Sequence, residues 1–279
     1  MTESPAGLPR PGTAEGREGL AALLREPGRA LIGLDYDGTL SPIVADPAAA
    51  HGHPEAAAAL TRIAALIGTV AVITGRPAAL AVKLGGLGEV PGLIVLGHYG
   101  WERWQDGALT SPPSPPGIAA ARERLPGVLT QAGAPEGTWT EDKGHALAVH
   151  TRRTPDPEGT LASLRGVITE LASETGLVLE PGRLVLELRP HGTDKGAALT
   201  ALAAERDPSA VLFVGDDLGD LAAFAAVDSL RGTGIPGVKV CSSSAEVTAL
   251  TGEADLVVPG PDGVIALLTG LAATIAPAD

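Results

Sequence analysis

A chain of 279 residues that is 44% hydrophobic has room for two modest domains with cores of their own, which excludes global disorder. The net charge of −13 argues against general nucleic-acid binding, which depends on phosphate neutralisation by Lys and Arg, and a single cysteine, Cys241, excludes an internal disulfide and suits a reducing compartment. No apolar run reaches the roughly 18 residues of a membrane helix, so no membrane association is expected.

Residues 1–18 are rich in Pro, Gly and charge and lack the apolar stretch of a secretion signal; they read as a flexible N-terminal arm on a cytoplasmic protein. A short helix over 19–24 leads into Leu31-Ile32-Gly33-Leu34-Asp35-Tyr36-Asp37-Gly38-Thr39-Leu40. This is an apolar run that ends in two aspartates one residue apart and a Gly-Thr turn. Such a run predicts a buried parallel strand, and open α/β sheets hold their ligands beyond the C-terminal ends of such strands. A helix over 54–66 stops before Gly68, and a strand over 70–73 is closed by Thr74-Gly75-Arg76-Pro77. Pro77 is expected in the first turn of the next helix, where its missing N–H costs little. A strand over 93–96 completes a β-α-β-α-β rhythm, the signature of a doubly wound parallel sheet.

The stiff run Ser111-Pro112-Pro113-Ser114-Pro115-Pro116-Gly117 marks a domain boundary. Beyond it come a helix (118–132), strands (139–141 and 146–150), a helix (157–175) and strands (177–180 and 184–188). That order predicts a small α+β module inserted into the sheet domain. From Lys195 the earlier rhythm resumes with a helix to 205 and a strand over 211–214 that ends in Gly215-Asp216-Asp217. Short strands (238–241 and 256–258) and a C-terminal helix after Pro261 finish the chain. The expected division is a Rossmann-like core over 19–112 and 190–279, with the insert over 113–189.

Four short pieces can carry chemistry. Asp35 and Asp37 either cap a loop or supply a nucleophile and an acid/base, since an aspartate can form a phosphoryl-enzyme and its neighbour can protonate a leaving oxygen. Asp216 and Asp217 repel one another unless a cation or a basic side chain lies near; with Asp35 they make an oxygen-only set suited to Mg²⁺. Their alternative role is to cap the following turn, a role that falls first to Asp220. Thr74, between a strand and a helix start, can cradle a phosphate with its hydroxyl and the neighbouring N–H groups. Lys195, in Asp194-Lys195-Gly196, offers a point charge suited to phosphate, or is a solvated surface group.

Taken together, these pieces resemble the four motifs of the haloacid dehalogenase superfamily of phosphohydrolases: Asp-Tyr-Asp-Gly-Thr the first, Thr74 the second, Lys195 the third and Gly-Asp-Asp the fourth. The resemblance implies that Asp35 is the nucleophile and Asp37 the acid/base. It also implies Mg²⁺ held by Asp35, the main-chain carbonyl of Asp37 and Asp216, with Asp217 as an auxiliary ligand or an orienting group. The insert is similar to the caps of trehalose-6-phosphate phosphatases in Glu141-Asp142-Lys143-Gly144, His150-Thr151-Arg152, Arg183 and Leu186-Glu187-Leu188-Arg189-Pro190. By motif position the sugar-binding residues would be Glu141, Lys143, Arg152, Arg183 and Glu187; without the resemblance, Glu141, Lys143 and Arg152 read as an exposed ion-pair strand. The fold implied is an α/β haloacid dehalogenase core with an α+β cap that opens and closes about the Pro-rich linker. The activity implied is Mg²⁺-dependent hydrolysis of trehalose 6-phosphate by a monomer. The rivals are another sugar-phosphate phosphatase of the superfamily and a non-catalytic sugar-phosphate-binding protein. Two departures stand out. Gly219 and Leu221 replace the family's Thr and Glu in Gly-Asp-Asp-x-Thr-Asp-Glu, and His98-Tyr99-Gly100 replaces its His-Gly.

Overall fold

In the computed structural model the described residues are 7–44, 46–182, 184–243 and 249–276. They form two compact units: one made of the stretches up to Thr110 and from Asp194 onward, the other of Ser111–Thr193. The inserted unit thus starts two residues before the expected boundary at 113 and runs past 189, because its last strand continues to Pro190.

The first unit runs α1 (Ala14–Arg25), β1 (Leu31–Leu34), α2 (Ala56–Ala64), β2 (Thr69–Ile73), α3 (Ala78–Gly85), β3 (Ile94–Gly97), β4 (Glu102–Gln105) and β5 (Ala108–Thr110). The insert follows with α4 (Pro116–Gln131), β6 (Trp139–Asp142), β7 (Leu147–His150), α5 (Pro157–Thr175), β8 (Leu177–Gly182) and β9 (Val185–Pro190). The chain then returns through α6 (Lys195–Arg206), β10 (Val211–Gly215), α7 (Leu221–Gly232), β11 (Gly237–Ser243), β12 (Leu256–Pro259) and α8 (Gly260–Ile275).

The main sheet has the order β12-β11-β10-β1-β2-β3-β4-β5. The six strands from β12 to β3 are parallel, and β1 is central, in register with Leu31 opposite both Val211 and Thr69. Every residue of β1, β2, β3 and β10 is buried, as a sheet covered on both faces requires. Alternation along β1 sorts the core into two layers. Ile32 and Leu34 join α1, α2 and α8 residues such as Leu23, Leu60 and Leu268 on one side. Leu31 joins Leu199, Phe213 and Phe224, with α6 and α7, on the other.

Three features differ from the sequence expectation. An antiparallel hairpin, β4–β5, extends the parallel sheet, its two-residue loop made by Asp106 (φ 50°) and Gly107 (φ 80°). Asp-Gly is the strongest short hairpin signal because both central residues of the turn need positive φ. Part of the N-terminal arm is also built into the fold. Thr13 caps α1 by accepting the Gly16 N–H (3.0 Å) and donates to Asp255 (2.5 Å), while Leu8 is buried in the core. Residues 1–6 lie outside the described residues. Pro77 precedes α3 as its N-cap instead of entering its first turn.

The inserted unit is a four-stranded antiparallel sheet, β6-β7-β9-β8. Leu147, Val149, Leu186 and Leu188 face α4 and α5, packing with Ile118, Leu125, Leu164 and Ile168. Asp156 caps α5 at one end, and Gly176 in the left-handed region ends it at the other. Among the described residues no helix is long and apolar enough to cross a membrane.

Candidate active site

The end of β1 delivers Asp35 to the C-terminal edge of the sheet, where its N–H is bonded to the Val214 carbonyl of β10 (2.9 Å). Tyr36 turns into the core and anchors the loop by donating to the Ala50 carbonyl (2.9 Å). The chain then reverses: the Gly38 N–H meets the Ser41 carbonyl at 2.7 Å, and the buried Ser242 hydroxyl donates to the Gly38 carbonyl at 2.7 Å. Gly38 sits at φ 71°, and a Cβ there would fall 2.0 Å from an Asp216 carboxylate oxygen. Only glycine lets the loop approach the end of β10 so closely.

Asp35, Asp216 and Asp220 are buried with carboxylate oxygens within 4.8 Å of one another. The ammonium of Lys195, at the start of α6, lies 2.9 Å from Asp35 Oδ1 and 2.7 Å from Asp220 Oδ1. The second oxygen of Asp220 accepts the N–H groups of Asp216 (3.0 Å) and Asp217 (3.2 Å). Burial pushes the Asp35 carboxyl well above the usual range; Lys195 opposes the shift and Asp220, Asp216 and Asp217 reinforce it. Burial, then repulsion by Asp217 and Asp220, pushes Asp216 up to about 8. Burial also works against the charge of Lys195, but Asp220 and Asp35 outweigh it and hold the ammonium well above its ordinary value.

Three buried carboxyls share one buried lysine, and their raised values reflect the cost of charging them together without a cation. Lys195 and the two backbone donors occupy Asp220, so the oxygens open to a cation are those of Asp35 and Asp216. A hard divalent cation with an all-oxygen preference, such as Mg²⁺, fits this donor set and its charge.

Asp217 takes the capping role that the sequence leaves open to it. Asp217 is not one of the clustered carboxylates; it caps the turn Leu218–Asp220, accepting the Gly219 N–H at 2.9 Å. Asp220, expected first as a cap, does close the reciprocal half of that capping box, but it is also fully buried against Lys195. Nothing local in Leu218-Gly219-Asp220 signals this, since the partner lies 25 residues away.

Thr74 is buried at the end of β2. Its hydroxyl oxygen accepts the Arg76 N–H (3.1 Å), so the hydroxyl proton is not used in that bond. Asp37 holds its side chain in the fork of Arg76, with Nε to Oδ2 2.7 Å and Nη2 to Oδ1 2.6 Å. Sequence reasoning passed over Arg76, although Thr74-Gly75-Arg76 stands at a strand end. His98 and Tyr99 take left-handed φ values of 47° and 57°, and their N–H groups bond the carbonyls of Arg76 and Thr74 (both 2.9 Å), tying this turn to the Thr74 loop.

In the inserted unit, Glu141, Ala148 and Glu187 lie opposite one another across β6, β7 and β9, so their side chains share the face turned away from α4 and α5. Lys143 pairs with Glu187, and Glu141 accepts a hydrogen bond from Nε2 of His150 (2.9 Å), whose ring stacks on Trp139 at 3.9 Å. Arg152 is exposed in the turn after β7. Arg183 lies outside the described residues.

The family model for trehalose-phosphatase matches residues 33–255, from within β1 to the residue before β12. The chain belongs to this family. A trehalose-6-phosphate phosphatase of Escherichia coli is 32% identical over 207 residues, covering 72% of this chain and 74% of its own. A trehalose-phosphate phosphatase of Mycobacterium avium is 35% identical over 243 residues, covering 81% of this chain and 56% of its own. The chain spans 16% of a glycosyl hydrolase of Mycobacterium tuberculosis to which it is 35% identical, so it covers only part of the length of several relatives it matches. The structure of Aspergillus fumigatus trehalose-6-phosphate phosphatase superposes with a TM-score of 0.66 at 25% identity, over 95% of this chain and 99% of that one. The chain shares the α/β fold of a haloacid dehalogenase-like hydrolase structure from Bacteroides thetaiotaomicron, with a TM-score of 0.56 at 17% identity over 86% of this chain and 98% of that one.

Proposed function

We propose that this protein is a Mg²⁺-dependent phosphatase that hydrolyses trehalose 6-phosphate to trehalose and phosphate. The observation that carries the reading is the buried Asp35, held beside Lys195 at the sheet edge with Asp37 two residues on, in a chain of the trehalose-phosphatase family.

Asp35 attacks phosphorus in line, forming the aspartyl phosphate as the bond to the sugar oxygen breaks. Asp37 gives that oxygen a proton. Asp37 then takes a proton from the water that attacks the aspartyl phosphate, which releases phosphate and restores Asp35. Thr74 and Lys195 stabilise the charge on the transferring group, the main service a protein can render to this reaction. Asp35, Asp216 and the main-chain carbonyl of Asp37 would hold Mg²⁺, which supplies further neutralisation at the phosphoryl oxygens. We assign sugar recognition to Glu141, Lys143, Arg152, Arg183 and Glu187. Fixed donors and acceptors of this kind reject analogues lacking hydroxyls far better than an apolar pocket does. The same reading has the protein act as a cytoplasmic monomer, in keeping with its single cysteine.

The test is phosphate release from trehalose 6-phosphate, glucose 6-phosphate and sucrose 6-phosphate, with Mg²⁺ and with excess chelator. Metal-dependent release that strongly favours trehalose 6-phosphate and vanishes in Asp35→Asn is the expected result. Equal release from all three sugars would remove the specificity, and an Asp35→Asn variant as active as wild type would remove the nucleophile. Glu141→Ala and Glu187→Ala are expected to slow turnover of trehalose 6-phosphate more than that of an aryl phosphate.

A further inference from the structure

Arg76 has none of the roles assigned above, yet it grips the group proposed as acid and base. Its fork meets both oxygens of Asp37 side by side, at 2.7 and 2.6 Å. The two partners are unequally exposed: the arginine side chain is 13% accessible and the aspartate 41%. The less accessible arginine is therefore the more fixed member of the pair, and part of the Asp37 side chain stays accessible.

Several contacts hold Arg76 in place. Its guanidinium lies 5.6 Å from the centre of the buried Tyr36 ring, which is itself bonded through its hydroxyl to the Ala50 carbonyl. Its N–H is bonded to the Thr74 hydroxyl, and its carbonyl accepts the His98 N–H at 2.9 Å. One residue thus links the Asp37 loop to the proposed phosphate-binding threonine, across 39 positions of sequence.

An exposed aspartate on a loop samples several rotamers, whereas proton transfer needs the carboxyl within about 2.6–3.2 Å of the oxygen it serves. A bidentate fork removes that freedom while each aspartate oxygen keeps a lone pair on the open side. We infer that Arg76 is a positioning residue, which acts through Asp37 by holding its carboxyl in reach of the leaving oxygen. The inference rests on the proposed phosphatase reaction and adds to it a determinant of leaving-group protonation.

The test compares wild type, Arg76→Gln and Arg76→Lys, as full chains with Mg²⁺, on trehalose 6-phosphate and p-nitrophenyl phosphate. Release of the leaving group is followed in a single turnover. The sugar oxygen needs a proton to leave, but nitrophenolate does not. Arg76→Gln is expected to lose about 100-fold or more in the rate on trehalose 6-phosphate, as removal of general acid catalysis does. Only a few-fold loss is expected on the aryl ester. KM for the sugar phosphate should stay near wild type. Arg76→Lys, which keeps the charge without the fork, should fall between. If Arg76→Gln lacks the wild-type circular-dichroism spectrum, Arg76→Lys carries the same comparison. Equal losses on both substrates, a rise in KM with kcat unchanged, or no loss at all would overturn the assignment while leaving the phosphatase reading intact. Wild type inactive on both substrates would overturn the phosphatase reading and this one with it.

Discussion

Replacing Lys195 by Met tests the electrostatic account of the site most directly. The lysine side chain is 6% exposed and its ammonium touches Asp35 at 2.9 Å and Asp220 at 2.7 Å. Methionine fills nearly the same volume, so the packing term is small and the loss is electrostatic. Removing one member of a buried ion pair leaves an uncompensated charge and costs about 3–5 kcal/mol. That is a large share of the roughly 5–15 kcal/mol that holds a typical domain together. The cost should depend on pH in a definite direction. Asp35 and Asp220 already have folded values above the ordinary carboxylate range because they are buried, and loss of the lysine raises both further. A carboxyl raised in the folded state favours folding while protonated and opposes it once charged, so the penalty is full at high pH and fades as pH falls through the raised values. Urea denaturation of wild type and Lys195→Met in chelator, between about pH 5 and pH 8, should show a gap of about 3 kcal/mol or more that narrows on acidification. A midpoint shift of more than about 1 M urea is expected at the upper end. A gap that stayed constant across this range, or was absent at its upper end, would refute the reasoning.

Other consequences are smaller but equally definite. Gly38→Ala places a methyl 2.0 Å from an Asp216 oxygen and an L-residue at φ 71°, so it should cost about 1–2 kcal/mol of stability for the backbone alone and weaken Mg²⁺ binding, both measurable by thermal denaturation with and without the ion. Mg²⁺ at a hundred times its Kd should stabilise the wild type by about 2.7 kcal/mol, and Asp216→Asn should abolish that increment. In the inserted unit, Arg122 donates to both oxygens of Asp142 (2.5 and 3.0 Å), and this hydrogen-bonded pairing holds the Asp142 carboxyl below its ordinary value. Because both side chains are more than two-fifths exposed, Asp142→Asn should cost only about 0.2–1 kcal/mol. A lowered carboxyl stabilises the fold above its unfolded value, so this advantage should disappear as pH falls below about 4, read as converging Tm values.

The elements that could be read from the chain are those whose signals are local. The run Leu31–Leu34 is apolar enough to demand a buried strand, and the acids that follow it reach the sheet edge for that reason alone. Helix α5 occupies the span expected from its proline start and glycine stop, because Asp156 and Gly176 satisfy its ends without help from elsewhere. The hairpin at Asp106-Gly107 has an equally local turn signal, but its strands, Glu102–Gln105 and Ala108–Thr110, are short and half polar and give no apolar run.

What tertiary structure alone decided is which charges meet. Parallel strands bring together residues from distant turns, and the register of β1 against β2 and β10 sets those meetings. Asp220 reads as a cap in sequence and, besides sharing the capping box with Asp217, becomes a buried partner of Lys195 in the fold. Arg76 reads as a turn residue and becomes the clamp on Asp37. For Lys195 the physical reason is burial, which makes an unpaired charge so costly that it must find its partners; in both cases only the packed sheet edge determines which partner is within 3 Å.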